Sequence, residues 1–324
     1  MDILRVSSSP HIRGRVTTSG IMKDVLIALF PCVLTGVIIY GLRALTLVLI
    51  SVLSCVIAES LWNKLNKKPN TIKDYSACVT GVLIALILPV STPWWVVTAG
   101  GFFAIIICKQ LFGGLGQNFI NPALGARAFI VASWPVAATV FVKPFTKLAL
   151  FKTPVLTDAV TSATPLGIIK AGEQMAPLNS LFVGNIAGCI GETSAIAILI
   201  GAIYLVARKV ITLHAPLSYI LSAGLFGWIM GYEGWFTGNF LFTVLSGGVL
   251  FGAFFMITDY VTTPASKKGA VVAGIIAGFL TVLIRVRGGY PEGVTYAILF
   301  VNIITPVIDK YIVPKKYGRV AKNG

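Results

Sequence analysis

Asp158, Thr161 and Thr164 are spaced three apart in the run Asp158-Ala159-Val160-Thr161-Ser162-Ala163-Thr164, which lies in the one long polar gap of a strongly apolar chain. A hydroxyl placed there, outside a bilayer, can anchor a redox cofactor through a phosphoester. Pro165 follows Thr164, so the plain local reading is a helix N-cap with proline at the first helical position. An unactivated threonine hydroxyl is a poor nucleophile. Attachment of a cofactor would need a separate enzyme to supply the base and the leaving group.

Two carboxylates sit where carboxylates are rare. Glu59 lies deep in Cys55-Val56-Ile57-Ala58-Glu59-Ser60-Leu61-Trp62, and Asp259 closes an apolar run after Phe254-Phe255-Met256-Ile257-Thr258. Such a group is costly in lipid and usually faces a partner or a water-filled path. Its oxygens suit a hard cation such as Na⁺, or a proton. The bland alternative for each is an interfacial residue or helix cap. Asn118 and Asn121 belong to the loop Phe112-Gly113-Gly114-Leu115-Gly116-Gln117-Asn118-Phe119-Ile120-Asn121-Pro122-Ala123. Its carboxamides and exposed backbone N–H groups can read the polar edge of a flavin ring, and its aromatics can stack on one. A plain re-entrant turn is the alternative. The loop is not the dinucleotide fingerprint, because no strand precedes it. Gly191-Glu192-Thr193-Ser194 can cap the next helix or help seat whatever the polar gap carries. The five cysteines form no CxxC pair, which argues against disulfide staples and a four-cysteine metal site. The two histidines, His11 and His214, map to loops, which argues against a haem held between helices.

Composition sets the elements that must position these residues. The chain has 324 residues, 56% of them hydrophobic and 11% charged, with a mean hydropathy of +0.88. A soluble domain is nearer a quarter charged. Apolar runs recur throughout, each able to cross a hydrocarbon core of roughly 30 Å. The expected class is an all-α polytopic membrane protein, since helices satisfy their own backbone in lipid. Ten spans are expected, near 22–41, 44–62, 76–92, 95–112, 122–142, 186–207, 215–231, 239–258, 269–285 and 293–309. The first is one span among many rather than a cleavable signal.

The net charge of +15 follows topology rather than nucleic acid. Most Lys and Arg fall in alternate loops, counting Lys109 and Arg127 with that set. The positive-inside rule then puts both termini in the cytoplasm and the Thr164 loop outside. Five spans precede that loop and five follow, so the halves are inverted in the membrane, an arrangement transporters use around a central site. Ordered internal similarity agrees. Thr80-Gly81-Val82-Leu83 leads to Pro89, as Gly247-Gly248-Val249-Leu250 leads to Asp259 and Pro264; Gly113-Gly114 precedes Asn121-Pro122-Ala123, as Gly288-Gly289 precedes Pro291-Glu292-Gly293. Glycine and proline there suggest broken helices, whereas Gly100 and Gly101 read as packing glycines. The expected organisation is an N-terminal arm (1–20), a first five-helix repeat (21–142), an extracytoplasmic loop (143–185), a second five-helix repeat (186–310) and a cytoplasmic tail (311–324).

The residues around Thr164 are also similar to a known pattern. Asp-x-x-Ser/Thr-Gly-Ala-Thr is the acceptor site of flavin transferases, which move FMN from FAD onto the last threonine. Asp158, Thr161, Ala163 and Thr164 match it, and Ser162 stands where glycine is usual. The rest of the chain resembles the D subunit of the Rnf complex and its relative, the B subunit of Na⁺-translocating NADH:quinone oxidoreductase. The runs that carry this are Ser9-Pro10-His11, Ile21-Met22-Lys23-Asp24-Val25, Leu88-Pro89 with Pro93-Trp94-Trp95, the loop from Gly113 to Ala123, Gly191-Glu192-Thr193-Ser194, Thr258-Asp259, and Gly288-Gly289-Tyr290-Pro291-Glu292-Gly293. The short arm before the first span favours the Rnf D subunit.

The resemblance implies FMN on Thr164 through a phosphodiester, and riboflavin or another unattached flavin near Asn118 and Asn121. It implies a multi-pass subunit of a bacterial or archaeal cytoplasmic membrane, with other Rnf-type subunits and a flavin transferase as partners. Electrons would pass between ferredoxin-side and NAD-side carriers, coupled to Na⁺ or H⁺ movement, with Glu59 and Asp259 as candidate ion-pathway groups. The rivals are a flavin-free secondary transporter on the same inverted repeat, and a membrane scaffold for partner subunits.

Overall fold

A computed structural model describes residues 17–146, 150, 162–232 and 234–313. Among them the chain is helical and contains no strand. Helix α1 spans Thr18–Tyr40 and α2 Leu42–Leu65. Helix α3 spans Ser76–Leu86. Helix α4 spans Trp94–Phe102 and runs on as a π-helical stretch, Phe103–Gln110. Next come α5 (Pro122–Ser133) and α6 (Pro135–Thr139), then the short α7 (Pro165–Lys170) and α8 (Leu178–Val183). The second half holds α9 (Ala195–Ala207), α10 (His214–Met230), α11 (Phe240–Leu245) and α12 (Val249–Phe251), the last passing into π-helical Gly252–Met256. Helices α13 (Lys267–Arg287) and α14 (Val294–Tyr311) close the fold.

Among the described residues α1, α2, α13 and α14 are long and apolar enough to cross a membrane. Several expected spans are shorter or interrupted. The run 76–92 is helical only to Leu86; its 11 residues reach about 16 Å, half a hydrocarbon core. The run 122–142 breaks between α5 and α6, where Trp134 precedes Pro135, because proline disfavours a helical residue before it. The run 186–207 becomes helical only at Ala195. The run 239–258 breaks at Ser246-Gly247-Gly248, with Gly247 at φ +60, a conformation glycine adopts without strain.

The breaks after Leu86, before Ala195 and at Ser246-Gly247-Gly248 lie inside protein, whereas that at Trp134 is flanked by exposed Ser133 and Pro135. Nearly all of α3 is buried, as is every residue of 249–257. Irregular backbone is tolerated at membrane depth only where such burial supplies hydrogen-bond partners. Here the second half supplies them to the first: Gly191 N donates to Leu86 O at 2.7 Å and Ile190 N to Leu88 O at 3.1 Å. Arg43 Nε donates to Val90 O at 2.7 Å. Arg285 repeats the device in the second half, its Nη atoms donating to Thr243 O and Ser246 O at 2.9 and 3.0 Å.

Small residues let the helices approach. Gly100 and Gly101 are packing glycines, since a Cβ would stand 2.4 Å from Ile130 Cδ1 and 2.3 Å from Ser54 Oγ. On α9, a Cβ at Gly201 would meet Ala28 O of α1 at 2.2 Å. Gly201→Val should therefore cost about 1–3 kcal/mol by overpacking. Thermal unfolding in detergent, followed by size-exclusion chromatography, should show a lower Tm for Gly201→Val and no comparable loss for Ile203→Val at an exposed neighbour.

Candidate functional site

Two cavities lie among the helices. The larger encloses about 410 Å³, within the range that takes a drug-sized ligand. Thr164 lines it with Ser162, Ala163, Phe141, Tyr290 and Tyr296, and so do Arg127, Cys189, Glu192 and Glu292. Thr164 is the N-cap of α7, its Oγ1 accepting from Gly167 N at 3.1 Å. The plain N-cap reading is therefore correct, and the same residue borders the cavity. Ser162 is tied back by its N–H to Phe141 O at 3.0 Å. Asp158 and Thr161 lie outside the described residues.

Four chain segments converge behind Thr164. Arg127, from α5, donates Nη1 to Glu192 Oε1 at 2.9 Å and Nη2 to Glu292 Oε2. Glu192 precedes α9, and Glu292 precedes α14. Glu292 Oε1 also accepts from Gly248 N at 2.8 Å, at the break before α12. All three side chains are largely buried, so each carboxylate depends on the shared guanidinium.

The smaller cavity, about 90 Å³, is lined by Asn118, Asn121, Lys109, Ser76, Asp259 and others. The structure thus brings both asparagines and Asp259 together. Each carboxamide already has work within the chain. Asn121 caps α5, accepting from Ala123 N at 3.0 Å, and Asn118 Nδ2 donates to Ile120 O at 3.0 Å. The space is smaller than a drug-sized ligand occupies. Asp259 is partly exposed and accepts from Thr262 Oγ1 at 3.3 Å. Glu59 is fully buried in an ion pair with Lys109 Nζ at 2.9 Å, and Thr71 Oγ1 donates to its other oxygen. Lys109 Nζ also donates to Ser76 Oγ at 2.6 Å.

A model described as the NQR2, RnfD, RnfE family matches residues 5–318. The chain belongs to this family. Three relatives cover almost its whole length. The D subunit of the Na⁺-translocating ferredoxin:NAD⁺ oxidoreductase complex of Acetobacterium woodii is 46% identical across 97% of this chain and 95% of the relative. The D subunit of the proton-translocating ferredoxin:NAD⁺ oxidoreductase complex of Clostridium ljungdahlii is 43% identical across 98% and 97%. The D subunit of an ion-translocating oxidoreductase complex of Escherichia fergusonii is 35% identical across 98% and 99%. All three are D subunits, the type that the sequence motifs resemble.

In this family member the charge pattern alone conceals the cationic partners. By pattern Lys109 and Arg127 count with the loop charges that set topology, yet both are buried in ion pairs. The signal is present in the sequence: both residues fall within expected spans, where a charge must find a partner. In Gly191-Glu192-Thr193-Ser194 the helix-capping role is met. Ser194 caps α9, accepting from Ala197 N at 3.4 Å, and Glu192 lines the Thr164 cavity.

Removing one partner of a buried ion pair costs about 3–5 kcal/mol, because the other charge is left uncompensated. An exposed pair contributes about 0–1 kcal/mol. Arg127→Ala should therefore lower thermal stability far more than Arg208→Ala, whose bridge to Asp24 is open to solvent at 59% exposure of the arginine side chain. In the other pair, Lys109→Met alone should be more destabilising than Lys109→Met combined with Glu59→Gln. A double-mutant cycle of chemical unfolding in micelles measures that difference.

Proposed function

We propose that this chain is the D-type membrane subunit of an ion-translocating ferredoxin:NAD⁺ oxidoreductase, with FMN esterified through its phosphate to Thr164. The observation that carries the reading is that Thr164 lines a cavity of about 410 Å³ together with two tyrosines and a buried arginine. That lining suits a flat aromatic ring with a polar edge. Bound there, FMN would supply electron exchange with carriers in partner subunits. A flavin transferase would make the attachment, since no general base at Thr164 appears among the described residues.

The chain's own residues define the rest of the reading. Tyr290 and Tyr296, with ring centroids 5.7 Å apart, offer aromatic surface to the ring. Arg127 lines the same cavity, held between Glu192 and Glu292. Asp259 is the carboxylate open to the smaller cavity, while Glu59 is held by Lys109. Ion movement would begin at Asp259, with Glu59 entering only if Lys109 releases it.

The membrane arrangement we propose has ten segments in two inverted halves, both termini in the cytoplasm, and the Thr164 cavity on the outer side of a bacterial or archaeal inner membrane. Two pairings support it. Helix α1 packs on α9, and α5 on α14; these are equivalent members of the two halves, as a two-fold relation requires. The helical run that ends at Leu86 and the one that ends at Met256 fall at positions related by the repeat. Exposed Trp94, Trp95, Trp228 and Trp235 fall at or beside the helix ends assigned to the outer side, as an interfacial aromatic belt would. Lipid and other Rnf-type subunits would cover the exposed apolar faces.

Expression with a flavin transferase should give a fluorescent protein band after denaturing electrophoresis, and Thr164→Ala should abolish it. A band that survives Thr164→Ala places the flavin elsewhere, and no band at all supports a flavin-free transporter. Asp259→Ala should leave the band intact and lower ion uptake into proteoliposomes of the complete complex at least tenfold. Unchanged uptake removes Asp259 from the path.

A further inference from the structure

Glu192, Glu292 and Cys189 place ligand atoms within 4.8 Å of one another, and one guanidinium, Arg127, serves both carboxylates. The nearby cations are engaged elsewhere. Arg285 directs both Nη atoms at the Thr243 and Ser246 carbonyls. Lys170 Nζ directs its protons at the carbonyls of Arg285, Gly288 and Tyr290. The other titratable groups within electrostatic reach are Cys189 and the tyrosines Tyr40, Tyr219, Tyr290 and Tyr296. None of them adds positive charge.

Two hydroxyls close in sequence to the cluster are buried without hydrogen-bond partners among the described residues: Thr193 Oγ1 and Ser246 Oγ. Thr193 follows Glu192. Ser246 lies two residues before Gly248, where a Cβ would stand 2.6 Å from Glu192 Oε1 and 2.7 Å from Glu292 Oε1. Within the cluster one guanidinium faces two carboxylates, so its ion pairs sum to one negative charge. A negative charge entering the same cavity raises the cost further, because Coulomb energies are large where water is excluded.

We propose that the Glu192–Arg127–Glu292 cluster is an acceptor site for one monovalent cation, H⁺ or Na⁺, loaded when negative charge enters the Thr164 cavity. This rests on the reading that Thr164 carries the flavin. The balance is one electron, delivered by a one-electron carrier of a partner subunit, against one cation. For H⁺ an O–H bond forms on a glutamate; for Na⁺ the carboxylate oxygens coordinate it. When the electron passes to the next oxidised carrier, the cation is released. Arg127 acts as a positioning residue that sets how much of each carboxylate is free.

The test is a spectroelectrochemical titration of the assembled complex, with the Thr164-bound flavin isolated as the difference from the Thr164→Ala complex. For H⁺, its midpoint potential rises as pH falls at fixed Na⁺. For Na⁺, it rises with added Na⁺ at fixed pH. Glu192→Gln and Glu292→Gln each reduce that slope at least twofold while the fluorescent band stays intact. A band with a potential indifferent to both cations overturns this proposal alone, as does an unchanged slope in both variants. Absence of the band in the unaltered complex overturns the flavin anchor and this proposal with it. If one glutamine variant fails to assemble, the slope of the other decides.

Discussion

The structure depends on satisfying backbone that is broken inside an apolar interior. A carbonyl or N–H without a partner at membrane depth costs several kcal/mol, and this chain interrupts its helices after Leu86 and between Leu245 and Val249. Each interruption is held by groups distant in sequence. Gly191, Ile190 and Arg43 serve the first, and Arg285 and Glu292 serve the second. The repairs explain the buried arginines: a guanidinium presents several donors in a fixed fork and satisfies two carbonyls at once. They also tie the two halves of the chain together, since Gly191 and Ile190 belong to one half and Leu86 and Leu88 to the other.

The same breaks shape the cavity that Thr164 lines. Where α12 begins late, Gly248 turns its N–H to Glu292 and leaves room for both glutamates beside Arg127. Where α9 begins late, Glu192 is free to reach across to α5. Helix α5 then joins the two cavities. Asn121, its N-cap, lines the smaller one, and Arg127, six residues on, lines the larger. That separation is about 9 Å along the helix axis. The two cavities are thus lined by residues less than two turns apart on one helix.

Ion choice is a finer matter than the fold. The relatives from Acetobacterium woodii and Clostridium ljungdahlii are named for Na⁺ and for protons, yet they are 46% and 43% identical to this chain. Overall similarity carries no information about the ion. Selection must reside in a few oxygen ligands and their geometry, because Na⁺ needs several converging oxygens and a proton needs only one basic atom.

Much of the architecture was legible in the one-dimensional pattern. Apolar runs of bilayer length, basic residues in alternate loops and turn residues at matched offsets establish a helical membrane protein, because lipid allows few other solutions. Thr164 announced itself through Pro165 as a helix cap, and Gly100 and Gly101 as close-packing points. Folding in three dimensions decided which runs stay helical and which charges meet. Leu86 and Ala195 became helix ends because partners from the opposite half replace the missing intrahelical bonds. Arg127, Glu192 and Glu292, 65 and 165 residues apart from the arginine, became one cluster. A sequence shows that a charge inside an apolar run must be compensated, but its compensator is chosen by distance in space.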